Sequence, residues 1–230
     1  MEEEQEKKID KIYSYFSTYF NKNMLRSVFL FSGGIIIFVA GVIVYGIVIN
    51  LREIPLHEIM SKKGLKELSN PNIIVSRQSY SLRLYDDTVL IKTYRANFGR
   101  NVNSPKLKAG DLATPVGDYK ICEIDTNNKY YKFFMINYPN ISDASDGLRK
   151  GLITQEEFDE IKFEYDNDKC INSNTPLGGD MGIHGIGRLD YLFKYLPFVY
   201  NWTDGSIALS NEDIDELYSV VKKGTKVVIK

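Results

Sequence analysis

Two cysteines, Cys122 and Cys170, and two histidines, His57 and His184, are all that the 230 residues contain of either type. That scarcity excludes a disulfide framework and a Cys cluster for a structural metal, and it argues against zinc hydrolysis. Neither a metal nor a cofactor is expected. A surplus of charge is missing as well: 29 Lys and Arg against 30 Asp and Glu leave a net charge of -1. A general nucleic-acid binder carries a basic field that this chain lacks. With 43% hydrophobic and 26% charged residues, neither wholesale disorder nor a polytopic membrane protein fits.

Charge is absent altogether from Ser27 to Leu51. At about 1.5 Å per residue this run reaches about 37 Å, enough to cross a hydrocarbon core with some tilt. Residues 27–51 are therefore expected to form one transmembrane helix. A cleaved signal peptide fits worse, because the segment before the run is long and begins with four glutamates among its first six residues, and no small-residue cleavage site follows. Lys7, Lys8, Lys11, Lys22 and Arg26 precede the span, and Arg52, Lys62, Lys63 and Lys66 follow it. The slight excess places the N-terminus in the cytoplasm. Within 1–26, Ile9, Ile12, Tyr13, Phe16, Tyr19 and Phe20 share one helical face, as in an amphipathic helix on a membrane surface or against a partner.

Residues 52–72 read as a polar, Lys-rich linker with a short helical pattern over Ile59–Leu68. From Ile73 to Lys230 short runs rich in Val, Ile, Tyr and Leu alternate with turn residues. Strands are expected at 73–75, 81–85, 89–97, 117–125, 131–137, 182–184, 206–209 and 225–229. Thr154-Gln155-Glu156-Glu157 and Ser210-Asn211-Glu212-Asp213 are capping-box patterns that open two helices, the second followed by Gly224. The fold class is thus mostly β with a few helices (α+β). Residues 140–175, the most polar stretch, read as an insertion beside the sheet that could serve as a lid.

Two short segments could carry chemistry. Met181-Gly182-Ile183-His184-Gly185 ends a strand with an imidazole between small residues, either a general base or a structural His bonded to backbone. Trp202-Thr203-Asp204-Gly205-Ser206 places a hydroxyl after a Gly, where it can be exposed beside backbone N–H groups. Arg188 is a candidate contact for a substrate carboxylate or a solvated surface residue. Tyr191, Phe193, Tyr195, Phe198, Tyr200 and Trp202 crowd the stretch between, as cleft floor or as core cover.

In order along the chain, Gly110-Asp111-x-x-Thr114-Pro115-x-Gly117-x-Tyr119, Ile183-His184-Gly185 and Thr203-x-Gly205-Ser206-Ile207-x-Leu209-Ser210-Asn211-Glu212-Asp213 resemble the L,D-transpeptidase catalytic domain, also called the YkuD domain. The resemblance covers about Ile73 to Ile229 and is closest to the murein L,D-transpeptidase branch whose motif reads Trp-Thr-x-Gly-Cys-Ile-Ala. It implies a β-rich catalytic fold and acyl transfer on peptidoglycan stem peptides. A Cys attacks the carbonyl of a diamino-acid residue, D-Ala leaves, and an amine or water takes the acyl group. By position, His184 is similar to the family's base, Gly205 to the residue beside the nucleophile, and the N–H groups around Gly205 and Ser206 to its oxyanion hole.

The nucleophile position holds Ser206 instead of Cys. A hydroxyl must lose its proton during attack, whereas a thiol near pKa 8.5 is readily held as thiolate. Seryl enzymes use an orienting carboxylate behind the His; Asp204 is the nearest in sequence, although a turn Asp commonly bonds backbone. Cys122 reads as a core residue of a strand, Cys170 as part of the insertion, and a pairing between them stays open. Two functions follow: a membrane-anchored acyltransferase or amidase using Ser206 and His184, or a pseudoenzyme that binds peptidoglycan or scaffolds a partner. In both, the C-terminal domain lies outside the cytoplasmic membrane, where its peptidoglycan substrate is.

Overall fold

The uncharged run is helical as far as Asn50. Helix α1 covers Lys22–Asn50 in a computed structural model that describes residues 22–50, 53–171, 174–193 and 200–230, with Gln5, Ile9, Lys11 and Ser14. Its segment Lys22–Val48 has a mean hydropathy of 2.6 over its most apolar window and is long and apolar enough to cross a membrane. Phe29, Phe31, Ile37 and Phe38 point outward uncovered, as side chains adapted to an apolar solvent do. The amphipathic pattern expected before α1 lies, apart from Ile9, outside the described residues. The chain divides into Met1–Leu51 and Arg52–Lys230.

In the second unit, strands β1 (Pro71–Ser76), β2 (Ser81–Asp86), β3 (Val89–Arg95), β4 (Gly117–Asn128), β5 (Tyr131–Ile136), β6 (Gly182–Gly185), β7 (Ile207–Leu209) and β8 (Lys226–Ile229) form one mixed sheet in the order β3-β2-β1-β8-β4-β5-β6-β7. The β1–β8 and β6–β7 pairs are parallel and the others antiparallel. Asn97 and Ala208 exchange backbone hydrogen bonds, each at 2.9 Å, which ties the continuation of β3 to β7 and joins the two ends of the strand order. Alternation places Ile73, Val75, Leu84, Ile183, Ile207 and Leu209 in the core with Phe98 and Phe134, all essentially inaccessible.

Sequence and structure agree on the strands to within a few residues. Helix α2 (Leu56–Lys62) starts earlier and stops sooner than the pattern over Ile59–Leu68 predicts. Leu56 and Met60, one turn apart, are buried, and Leu56 N–H donates to Glu216 Oε1 at 2.9 Å. The stretch thus docks on the domain through a narrow apolar stripe.

The insertion carries two helices where the sequence declared one. Helix α3 (Ile141–Arg149) is capped by Asn140 and Asp143, whose side chains and backbone N–H groups bond reciprocally. Helix α4 (Gln155–Asp166) has the predicted capping box, with Thr154 and Glu157 as partners. Ala144, Ile153, Ile161, Ile171 and Leu177 form a small core of their own. A 3-10 turn (Gly187–Leu189) leads into the short α5 (Asp190–Phe193), and α6 (Asn211–Tyr218) follows β7, with Ile214 and Leu217 buried. Gly224 has φ 89°, but the helix ends six residues earlier, so this Gly serves the turn into β8.

Candidate active site

Parallel pairing of β6 with β7 sets Ile183 beside Ile207 and His184 beside Ala208. Because side chains alternate, Gly182, His184, Ser206 and Ala208 fall on one face of that pair. The Ile183 and Ile207 side chains anchor the opposite face in the core. A cavity of about 600 Å³ opens on the first face, and both His184 and Ser206 line it.

His184 is 2% exposed. Its Nδ1 lies 2.7 Å from the carbonyl oxygen of Gly185; a carbonyl only accepts, so Nδ1 carries the proton and Nε2 keeps its lone pair. The ring stacks on Tyr130 and Phe133, at centroid distances of 4.6 and 5.6 Å, and meets Trp202 edge-on at 5.8 Å. Burial pushes the imidazole down to about 4; the Gly185 bond opposes this and nearby Lys129 adds to it. The imidazole is neutral at ordinary pH.

Gly185 has a steric reason to be Gly. A Cβ there would sit 2.5 Å from Asn211 Oδ1. That Asn accepts from Gly187 N–H and donates to the Gly187 carbonyl, both at 3.0 Å, and its own N–H donates to Asp190 Oδ1. Asn211, the first residue of α6, therefore clamps the loop behind His184. Gly185 faces this clamp instead of the cavity.

The Ser206 loop is held from within. Thr203 Oγ1 donates to the Ser206 carbonyl at 2.6 Å and accepts from Gly205 N–H at 3.3 Å. One of the N–H groups expected in an oxyanion hole is thus turned toward its own loop. Ser206 Oγ accepts from Gly182 N–H at 3.3 Å. Gly205 adopts φ 131°, where a Cβ would approach Ala113 O to 2.7 Å; only Gly fits both conditions.

Two expected site residues stand elsewhere. Asp204 is exposed and ion-paired with Arg100 at the cavity rim, so it is not the carboxylate behind His184; Gly185 O holds that place. Arg188 is exposed on the 3-10 turn and does not line the cavity. Trp202 does line it, whereas Tyr191 and Tyr200 are exposed; Tyr195 and Phe198 lie outside the described residues. Tyr130 and Phe133, the walls around the imidazole, went unnoticed in the sequence because a hairpin turn and a strand aromatic carry no motif. Gly178, Gly179 and Asp180 also contribute to the lining. Asp111 serves its own loop: burial alone would raise its carboxyl, but hydrogen bonds from Lys106, Lys108, Leu107 and Ala113 hold it below the usual value.

Neither cysteine is a nucleophile. Cys122 on β4 and Cys170 beyond α4 form a disulfide with Cα atoms 5.3 Å apart, and no free thiol remains.

A model of the L,D-transpeptidase catalytic domain matches residues 70–229. No curated protein matches the chain. Among solved structures it is similar to the helical cell shape determining protein Pgp2 from Campylobacter jejuni, with 22% identity and a TM-score of 0.46 over 76% of this chain and 55% of that one. It is also similar to an L,D-transpeptidase from Xylanimonas cellulosilytica, with 13% identity and a TM-score of 0.41 over 76% and 70% of the two chains. For Bd1075 of Bdellovibrio bacteriovorus the values are 19%, 0.43, 71% and 48%. The chain spans about half the length of the Pgp2 and Bd1075 chains.

Proposed function

The chain belongs to the L,D-transpeptidase catalytic-domain family, and from that premise we propose that it is a membrane-anchored protein acting on peptidoglycan stem peptides by acyl transfer. Ser206 Oγ attacks the carbonyl of the diamino-acid residue while His184 Nε2 takes its proton. The tetrahedral intermediate collapses as His184 returns the proton to the departing D-Ala amine, and an incoming amine or water releases the acyl group from Ser206.

The carrying observation is that His184 and Ser206 line one cavity, with the His184 tautomer fixed by Gly185 O so that Nε2 is free to accept. Burial keeps that nitrogen unprotonated. Helix α1, long and apolar enough to cross a membrane, is in this reading a single-pass anchor, with residues before it in the cytoplasm and the catalytic domain outside. The Cys122–Cys170 bond supports that side, since disulfides persist in oxidising compartments.

A second reading, a domain that binds stem peptides without turnover, is favoured by the Ser206 loop. Its Oγ is engaged by Gly182 N–H, Gly205 N–H is turned to Thr203, and the described acceptor behind His184 is the Gly185 carbonyl and not a carboxylate.

One substitution separates the two. Ser206→Cys should create or greatly raise acylation by a stem tetrapeptide and by a carbapenem, read as an adduct in intact mass, because a thiolate needs less help from the base. Adding His184→Ala should abolish it. A Ser206→Cys chain that binds peptidoglycan fragments but forms no adduct would establish the binding reading.

A further inference from the structure

Tyr131 opens β5 with φ 78°, a left-handed backbone, directly after the turn residues Lys129 and Tyr130. That position in a hairpin ordinarily goes to Gly, because a Cβ is crowded there. A tyrosine persists in it only where its surroundings hold it. Here its hydroxyl donates to Asp215 Oδ2 at 2.9 Å. Lys132 lies 4.4 Å from the centre of the Tyr131 ring, ion-pairs with the same Asp215 and faces Tyr218 at 5.1 Å. Side chains thus fasten the end of the hairpin to α6.

The turn so fastened lies against the imidazole. Tyr130 stacks on the His184 ring at 4.6 Å with 27° between the planes, and the Lys129 ammonium sits 4.7 Å from the centre of the Tyr130 ring. Backbone closes in as well: Tyr130 O would stand 3.0 Å from a Cβ on Gly185, and Lys129 O 3.0 Å from one on Gly187. Phe133 reaches His184 as its cross-strand partner, which the sheet register dictates. Tyr130 belongs to the turn and has no register to place it. Its direction follows from how the chain leaves the turn at Tyr131.

Asn211 and Asp215 are four residues apart and share one face of α6. The first clamps the loop behind His184, and the second ties down the hairpin beside its ring. One helix face therefore fixes the imidazole at two points. We propose that Tyr131 and Asp215 are positioning residues: their bond, with the left-handed backbone of Tyr131, holds the Tyr130 ring against His184 and sets the direction of the imidazole. That the imidazole so aimed serves as a base rests on the acyl-transfer reading; its placement does not.

The test is imidazole nitrogen-15 NMR of the full-length chain in nanodiscs, labelled at its two histidines, with the exposed His57 as internal reference. In the parent chain His184 should be the Nδ1–H tautomer and gain its second proton at about 4. Asp215→Ala cuts the tie at an exposed position, and Tyr131→Gly cuts it with a residue that suits the backbone, so both should fold. Each should loosen the Tyr130 stack and admit water to the ring, raising the His184 midpoint by about 1 pH unit or more and adding the Nε2–H tautomer. Loss of the Asp215 charge by itself would move the midpoint the other way. Asp215→Asn, whose side-chain oxygen still accepts from Tyr131 Oη, should keep the midpoint of the parent chain. A tie that is merely structural would lower the urea midpoint and leave the titration where it was. An unchanged or lowered His184 midpoint in either of the first two variants would overturn the proposal, as would a rise in Asp215→Asn equal to that in Asp215→Ala. If the titrations follow the expected pattern while Ser206→Cys stays inert toward stem peptides, the acyl-transfer reading fails and the positioning stands.

Discussion

His184 donates its Nδ1 proton to the carbonyl of Gly185, the residue next to it, at 2.7 Å. The acceptor behind the imidazole is therefore a neutral part of the main chain, fixed by the Asn211 clamp on Gly187. It orients the ring without supplying a negative charge to stabilise an imidazolium.

The first prediction concerns pH. In the fold His184 is lowered to about 4 from an ordinary 6.5 by burial. Between these values the unfolded chain binds the extra proton, so stability from this group falls as pH drops, by about 3 kcal/mol in all. Asp213 is raised to about 7 from 3.8, chiefly by burial. There the folded chain holds the extra proton, and stability falls as pH rises through that window, by about 4 kcal/mol. The two slopes oppose each other between about pH 4 and 6.5. Urea unfolding followed by the single Trp202 should show a shallow dependence for the parent chain. It should show falling stability with rising pH for His184→Gln, and the reverse for Asp213→Asn. Parallel profiles for all three would refute both assignments.

The second concerns the disulfide. Its two residues are 48 apart in sequence, and closing a loop of that size stabilises the fold by about 4 kcal/mol in the chain-entropy model. The double variant Cys122→Ala/Cys170→Ala should lower the urea midpoint accordingly. Iodoacetamide should leave the mass of the non-reduced native chain unchanged; labelling without reductant would contradict the bond.

A third prediction isolates the Ser206 loop. Gly205→Ala places a Cβ against Ala113 O at φ 131°, a strain of about 2 kcal/mol or more. Ser206→Cys chains carrying Gly205→Ala should lose carbapenem acylation while the far-UV circular dichroism is retained. Undiminished acylation would mean that the loop does not need this conformation.

Legibility in the sequence followed the range of the interaction. Strands announced themselves by alternation, and Thr154 and Ser210 by side chains that cap their own helices three residues on. Helix α3 was hidden because its cap, Asn140, follows Tyr138-Pro139, a combination that looks like a turn, and its N3 partner is Asp143 instead of Glu or Gln. The pairs Cys122–Cys170 and Arg100–Asp204 join residues far apart in the chain, and local pattern carries no trace of them. Of the residues that line the cavity, His184, Trp202 and Ser206 stand out in the sequence by type and order. The Tyr130 and Phe133 walls and the Gly185 acceptor depend on which strands become neighbours.

The bond between Asn97 and Ala208 also bears on how a peptide can enter. Ala208 spends both its N–H and its carbonyl on Asn97, while its neighbours Ile207 and Leu209 turn theirs toward β6. The strand that follows Ser206 thus has no vacant side, and a peptide cannot be recognised by lying down beside it as one more strand. Whatever enters the cavity over His184 and Ser206 therefore meets the side chains and loops that line it, not an open strand edge at residues 207–209.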